Sequence, residues 1–206
     1  MAVEELHAPC WVTEPKGWVL DVAPTRAVRL AVFVHGFGGK ALKTWNNFPS
    51  GGLVHDWWRE TDMLFVGYDS GRDNITAVAD RIRKNLRYFY PLPHPPAMNL
   101  GGAAPREDTS TPYEELVVLG HSLGGLVLRR AMADAAQARL DDEAAGAEPR
   151  CQEILDAKLR LFSPASAGFR AAGLLGAAQA SGLGPALDMY LRRSSAYTDL
   201  QPGLEL

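Results

Sequence analysis

The chain has 206 residues, of which 47% are apolar and 22% charged, enough for one well-packed domain. Its formal charge of −3 argues against nucleic acid as the main partner. Two cysteines, Cys10 and Cys151, make neither a disulfide framework nor a metal site, and they fit a reducing compartment.

The N-terminus carries Glu4 and Glu5 without an apolar core, so no secretory signal is visible and a cytoplasmic location is expected. The uncharged run Ala171 to Leu187 is Ala/Gly-rich and too short for a membrane span. Residues 1–206 are expected to form one domain, opening with strands and loop over 1–27. There, apolar pieces between Trp11 and Val22 flank Glu14-Pro15-Lys16-Gly17, the pattern of a small hairpin.

Val28 to Val34 reads as a buried strand running into His35-Gly36-Phe37-Gly38-Gly39. A strand opening into a His-Gly loop suits an oxyanion hole, because glycine lets the backbone come close to a bound carbonyl. The amide of Phe37 is one expected donor, with His35 and Gly36 supporting the loop. Lys40 to Phe48 reads as irregular, with Trp45 and Phe48 as pocket or core aromatics. A short helix is expected over Gly52 to Glu60, and a strand over Met63 to Tyr68. In Asn74 to Tyr90, residues Ile75, Val78, Ala79, Ile82, Leu86 and Phe89 recur at helical spacing. Residues 91–112 hold six prolines and read as a long exposed loop, either a lid or a mobile insertion.

The chain is organised around Leu116 to Leu128. Four apolar residues, Leu116 to Leu119, predict a buried strand. Gly120-His121-Ser122-Leu123-Gly124 follows, then an Ala/Leu-rich helix to about Leu140. This is G-x-S-x-G between a strand and a helix. A serine on so sharp a turn sits in a strained conformation that lifts its hydroxyl clear of the sheet. The positions two before and two after must be small, and Gly120 and Gly124 fill them. The helix behind Ser122 aims N–H groups and a positive dipole end at any oxyanion formed there, which makes Leu123 the second expected donor. Beyond it, Ile154-Leu155 suggests the end of a short helix, Leu159 to Phe162 a further strand, and 169–194 one or two helices that could cap a pocket. No metal-ligand cluster or phosphate loop competes, and no cofactor is expected.

Strands alternating with helices predict a doubly wound, mostly parallel α/β sheet. Val-Phe-Val-His-Gly-Phe-Gly-Gly followed by Val-Leu-Gly-His-Ser-Leu-Gly-Gly-Leu-Val resembles the lipase-like serine esterases of the α/β-hydrolase superfamily, over about residues 28 to 168. The resemblance implies hydrolysis of an acyl ester or lipid, with Ser122 as nucleophile. Two departures stand against it. Ser163-Pro164-Ala165-Ser166 carries serine where these esterases often have histidine. No histidine follows Ser122 at all, since His7, His35, His55, His94 and His121 all precede it. In this fold the acid and then the histidine come after the serine, and Asp188 and Asp199 occupy no convincing strand end. The last strands are therefore expected to be missing, either because the chain is part of a longer hydrolase or because it is a short form. A non-catalytic hydrolase-fold module is the alternative function. A sheet that stops at Leu159 to Phe162 would expose an edge able to pair with a downstream domain or a second chain.

Overall fold

The computed structural model describes residues 8–12, 15–23, 25–45, 59–98, 106, 108–150 and 152–163. Six strands are present: β1 Ala8–Trp11, β2 Val19–Val22, β3 Arg29–Val34, β4 Thr61–Val66, β5 Glu115–His121 and β6 Lys158–Phe162. They form one sheet in the order β1-β2-β4-β3-β5-β6. β3 pairs in parallel with β4 and β5, and β5 with β6. The hairpin of β1 and β2 joins antiparallel through β2 to β4. The fold is thus α/β, with a mostly parallel sheet.

The central strands are apolar throughout because both of their faces are covered. All six residues of β4 are buried, as are the last five of β3. On one face Leu30, Val32, Leu64 and Val118 pack against two helices, α1 (Ile75–Asn85) and α2 (Leu123–Ala144). On the other face Val19, Ala31, Phe33, Phe65 and Leu119 pack with Trp45. Phe33 stacks on Phe65 with centroids 4.9 Å apart and takes the edge of Trp45 at 5.1 Å.

This distribution follows from handedness. The chain moves one way across the sheet from β3 to β4 and the opposite way from β4 to β5 and on to β6. Right-handed crossovers then place the first connection on one face and the other two on the opposite face. Trp45 and the two helices are arranged in this way, so the sheet is doubly wound. The connections leave β3 and β5, which are neighbours, in opposite directions. Their carboxyl ends therefore flank a crevice at the topological switch point, where α/β sheets bind ligands.

Several expectations change in detail. The single helix over 74–90 is an α-helix to Asn85 that tightens into a 3₁₀ turn at Leu86–Tyr88. Asn74 caps it, its Oδ1 accepting the N–H groups of Thr76 and Ala77 at 2.8 and 3.3 Å. α2 runs past Leu140 to Ala144, supported by the Gln137–Asp141 and Arg139–Glu143 pairs one turn apart. It stops before Gly146, whose φ of 66° ends a helix readily. Lys43–Trp45 and Glu153–Asp156 are 3₁₀ turns. The proline-rich segment is anchored rather than simply exposed. Pro95–Met98 forms a 3₁₀ turn with Ala97 and Met98 buried, and Arg106 is buried against Asp62. The expected helix over 52–60, apart from its last two residues, and the cap over 169–194 lie outside the described residues. Among the described residues β6 pairs with β5 alone, and no described helix is long and apolar enough to cross a membrane.

Candidate functional site

Ser122 stands between the last residue of β5 and the first of α2 with φ 51° and ψ −116°. For a residue with a Cβ this backbone is strained and persists only where the surroundings impose it. Two neighbours impose it here. The Ser122 N–H donates to the Phe162 carbonyl at 3.0 Å, extending the β5–β6 ladder, and the Ser122 carbonyl accepts the Gly125 N–H at 3.0 Å, starting the helix. The turn has no slack. A Cβ on Gly124 would lie 2.1 Å from the Val34 carbonyl oxygen, and one on Gly120 would lie 2.7 Å from the Gly125 Cα. Close approach of helix to strand accounts for both glycines.

The β3 loop comes to the same place. A Cβ on Gly36 would be 2.9 Å from the Ser122 Cβ and 3.0 Å from the His121 carbonyl oxygen. Phe37 follows, half-buried against the larger core cluster. Leu123 opens α2, in the first turn, where backbone N–H groups have no carbonyl four residues back. The structure therefore brings Gly36, Phe37, Gly120, Ser122, Leu123 and Gly124 to one point at the switch of strand order.

His35 is fully buried. Its Nδ1 lies 2.8 Å from the Gly36 carbonyl oxygen, which can only accept, so Nδ1 carries the proton and Nε2 is left as an acceptor. Nε2 is buried without a hydrogen-bond donor among the described residues. Burial, above all, holds the ring below its ordinary pKa, so it is neutral. The ring stacks on Tyr68 with centroids 4.2 Å apart, and the Tyr68 hydroxyl donates to the His35 carbonyl at 2.6 Å. Burial pushes the Tyr68 phenol up, so it keeps the proton it donates. The Gly38 N–H donates to Ser70 Oγ at 2.8 Å, and the Gly39 N–H to the Gly36 carbonyl at 3.1 Å. Tyr68 and Ser70 thus clamp the loop from the end of β4. Sequence reading passed over both residues. The strand end at Tyr68-Asp69-Ser70 is legible in the sequence, but its place beside the His-Gly loop comes only from the pairing of β3 with β4.

A base for Ser122 is not found among the described histidines. His121 directs its ring toward Trp45, with centroids 6.4 Å apart, and its Nδ1 is buried without a partner. His94 packs on Phe89 at 4.6 Å, with Nδ1 3.3 Å from the Tyr88 carbonyl oxygen. Neither hydrogen-bonds Ser122. Among the described residues no group of His, Cys, Asp or Glu gathers to hold a metal ion.

The sequence matches no protein-family model and no curated relative. Three solved structures share features of its shape. Two are inhibited forms of esterase B from Lactobacillus rhamnosis, the second with a tributyrin phosphonate, each 14% identical, with TM-scores of 0.45 and 0.47. They cover 91% and 97% of this chain, which spans only 56% and 62% of theirs. The third is a lipase-esterase related protein from Clostridium acetobutylicum, 14% identical with a TM-score of 0.32, covering 57% of this chain and 40% of its own.

Proposed function

We propose that the chain carries the nucleophile half of a serine esterase of the lipase-like α/β-hydrolase type. The observation that carries this reading is the backbone of Ser122, a non-glycine residue at positive φ on a strand-to-helix turn, with Gly36 packed against its Cβ. Ser122 Oγ attacks the carbonyl carbon of an acyl ester. The negative charge that develops on the carbonyl oxygen is met by the N–H groups of Phe37 and Leu123 and by the positive end of α2. The alcohol leaves, and water releases the acid from the acyl-serine. His35 serves this reading by shaping the loop. Its proton is committed to Gly36, and its ring is held against Tyr68.

The base is then His7 or His55, outside the described residues, or is brought by a downstream domain or second chain on the outer edge of β6. The two cysteines, too few for a disulfide framework, are consistent with a reducing, cytoplasmic setting. The second reading, a hydrolase-fold binding module without catalysis, is favoured by one observation: none of the described histidines hydrogen-bonds Ser122.

Labelling with a fluorophosphonate probe separates the two. The esterase reading expects covalent labelling of the folded chain that disappears in Ser122→Ala. Folded protein that takes up no label overturns it in favour of the binding module.

A further inference from the structure

A cavity of about 600 Å³ lies beside the His-Gly loop and has no part in the chemistry above. Ala41, Leu42 and Tyr68, all partly buried, give it an apolar wall, and the exposed Lys16, Lys40 and Lys43 stand around it. Asp69 and Asp73 also line it, but their charges are already engaged. Asp73 Oδ2 lies 3.2 Å from Arg81 and accepts the Asp69 N–H at 3.0 Å. Asp69 Oδ1 accepts the Gly71 N–H at 3.0 Å, and its Oδ2 is 3.7 Å from Arg72. None of the three lysines has a carboxylate partner among the described residues. A chain of net charge −3 thus gathers at one cleft three lysines that have no carboxylate partner among the described residues, against two aspartates that are paired elsewhere. Like charges held together repel, and they raise the local concentration of an anion.

The cleft is coupled to the site through one side chain. Tyr68 forms part of its wall and also stacks on His35, one residue before the glycine that touches Ser122. Tyr68 follows β4 and Ser122 follows β5, with β3 between them. Two strand spacings put the cleft about 10 Å from the serine. Lysines act as point charges and do not select the planar fork of one particular anion, so carboxylate and phosphate both suit them.

We infer that this cleft holds the anionic end of a soluble acyl ester, a carboxylate or phosphate carried about 10 Å from the scissile carbonyl, with the intervening alkyl chain on Leu42 and Tyr68. The inference rests on the proposed esterase reading for its reaction, but not for its binding.

Two measurements test it. In the first, the mono-4-nitrophenyl ester of a medium-length dicarboxylic acid is compared with the same ester methyl-capped at its far carboxyl. The wild-type chain is expected to favour the free acid, and Lys40→Gln/Lys43→Gln to reduce that preference in kcat/KM about tenfold, as should raised salt. A preference that the lysine variant leaves intact overturns the inference. In the second, the Ser122→Ala protein is titrated with the free dicarboxylate and with inorganic phosphate while the amide resonances of Leu42 and Tyr68 are followed. Saturable shifts that vanish in the lysine variant are expected whether or not the wild-type chain turns over esters. Their absence overturns the cleft, whereas absent Ser122-dependent turnover overturns only the esterase reading. Lysine-dependent sedimentation with phosphatidylglycerol vesicles, without dicarboxylate shifts, would assign the anion to a lipid surface and overturn a soluble ester.

Discussion

The two ends of the parallel sheet treat polar groups in opposite ways. At the amino end, Asp62 is fully buried and fully engaged. Arg106 grips it with two bonds, at 2.7 and 2.8 Å, and the Tyr113 hydroxyl and Ala23 N–H donate to it at 2.6 and 2.9 Å. Burial and the nearby Asp62 charge push the Tyr113 phenol up, so it stays a donor. Arg29, Lys158 and Glu115 form a second ionic group at the same end. At the carboxyl end the bookkeeping is left open: Ser122 is strained, and among the described residues His35 Nε2 and His121 Nδ1 are buried without partners and three lysines lack a carboxylate partner. The first end spends its chemistry on holding the chain together. The second keeps groups available, the pattern expected where an active surface is maintained at some cost in stability.

Removing the guanidinium from the amino end gives the largest expected effect. Arg106→Met leaves a buried carboxylate without its cation and should cost about 3–5 kcal/mol in urea unfolding. Asp62→Leu/Arg106→Met should recover most of that loss, because the penalty belongs to the orphaned charge and not to the pair itself. A double variant as unstable as the single one would show that the contact, not the charge, matters.

The opposite sign is expected at the carboxyl end. Ser122→Gly removes a Cβ from a backbone at φ 51° and should raise stability by about 1 kcal/mol, after the entropic cost of glycine is deducted. Loss of fluorophosphonate labelling should accompany the gain. A glycine variant less stable than the parent would mean that Ser122 sits there without strain, and the contrast between the ends would fail.

The carboxyl end was the more legible in sequence. Gly120, Ser122 and Gly124 declare their geometry within five residues, since a helix pressed on a strand admits no side chain at two fixed positions. The apolar runs of β3, β4 and β5 showed the sheet in the same local way. The amino end left no such trace. Asp62 and Arg106 are 44 residues apart, and Arg106 lies in a segment whose prolines suggested an exposed loop. Pairing across that distance is decided by the fold, and neither periodicity nor spacing records it. Tyr68 and Ser70 went unread for a related reason: they act through backbone groups of a neighbouring strand, and a sequence does not show which strands are neighbours. The acidic partner of a triad was not legible either, and no described residue supplies one.

Asp21 crosses the division and gives the finest test. It lies on β2, on the face it shares with Val19, and its Oδ1 is buried without a partner. Burial first, and then the charge of Asp62, raise its carboxyl from 3.8 to about 6. The amino end therefore holds one group it does not satisfy. Below about pH 4 the carboxyl is protonated both folded and unfolded, and it contributes nothing. Between about pH 4 and 6 the folded chain keeps the proton that the unfolded chain gives up, so this residue makes stability fall as pH rises. Above about pH 6 the full penalty is in place. Discounted for partial exposure, it is about 1 kcal/mol. Asp21→Asn should accordingly match the parent near pH 4 and exceed it by about 1 kcal/mol at pH 8 in urea unfolding. An advantage that does not depend on pH would assign the effect to packing. A loss of stability at pH 8 would mean that the ionised carboxylate is part of the Asp62 network, and that the amino end leaves no polar group unsatisfied.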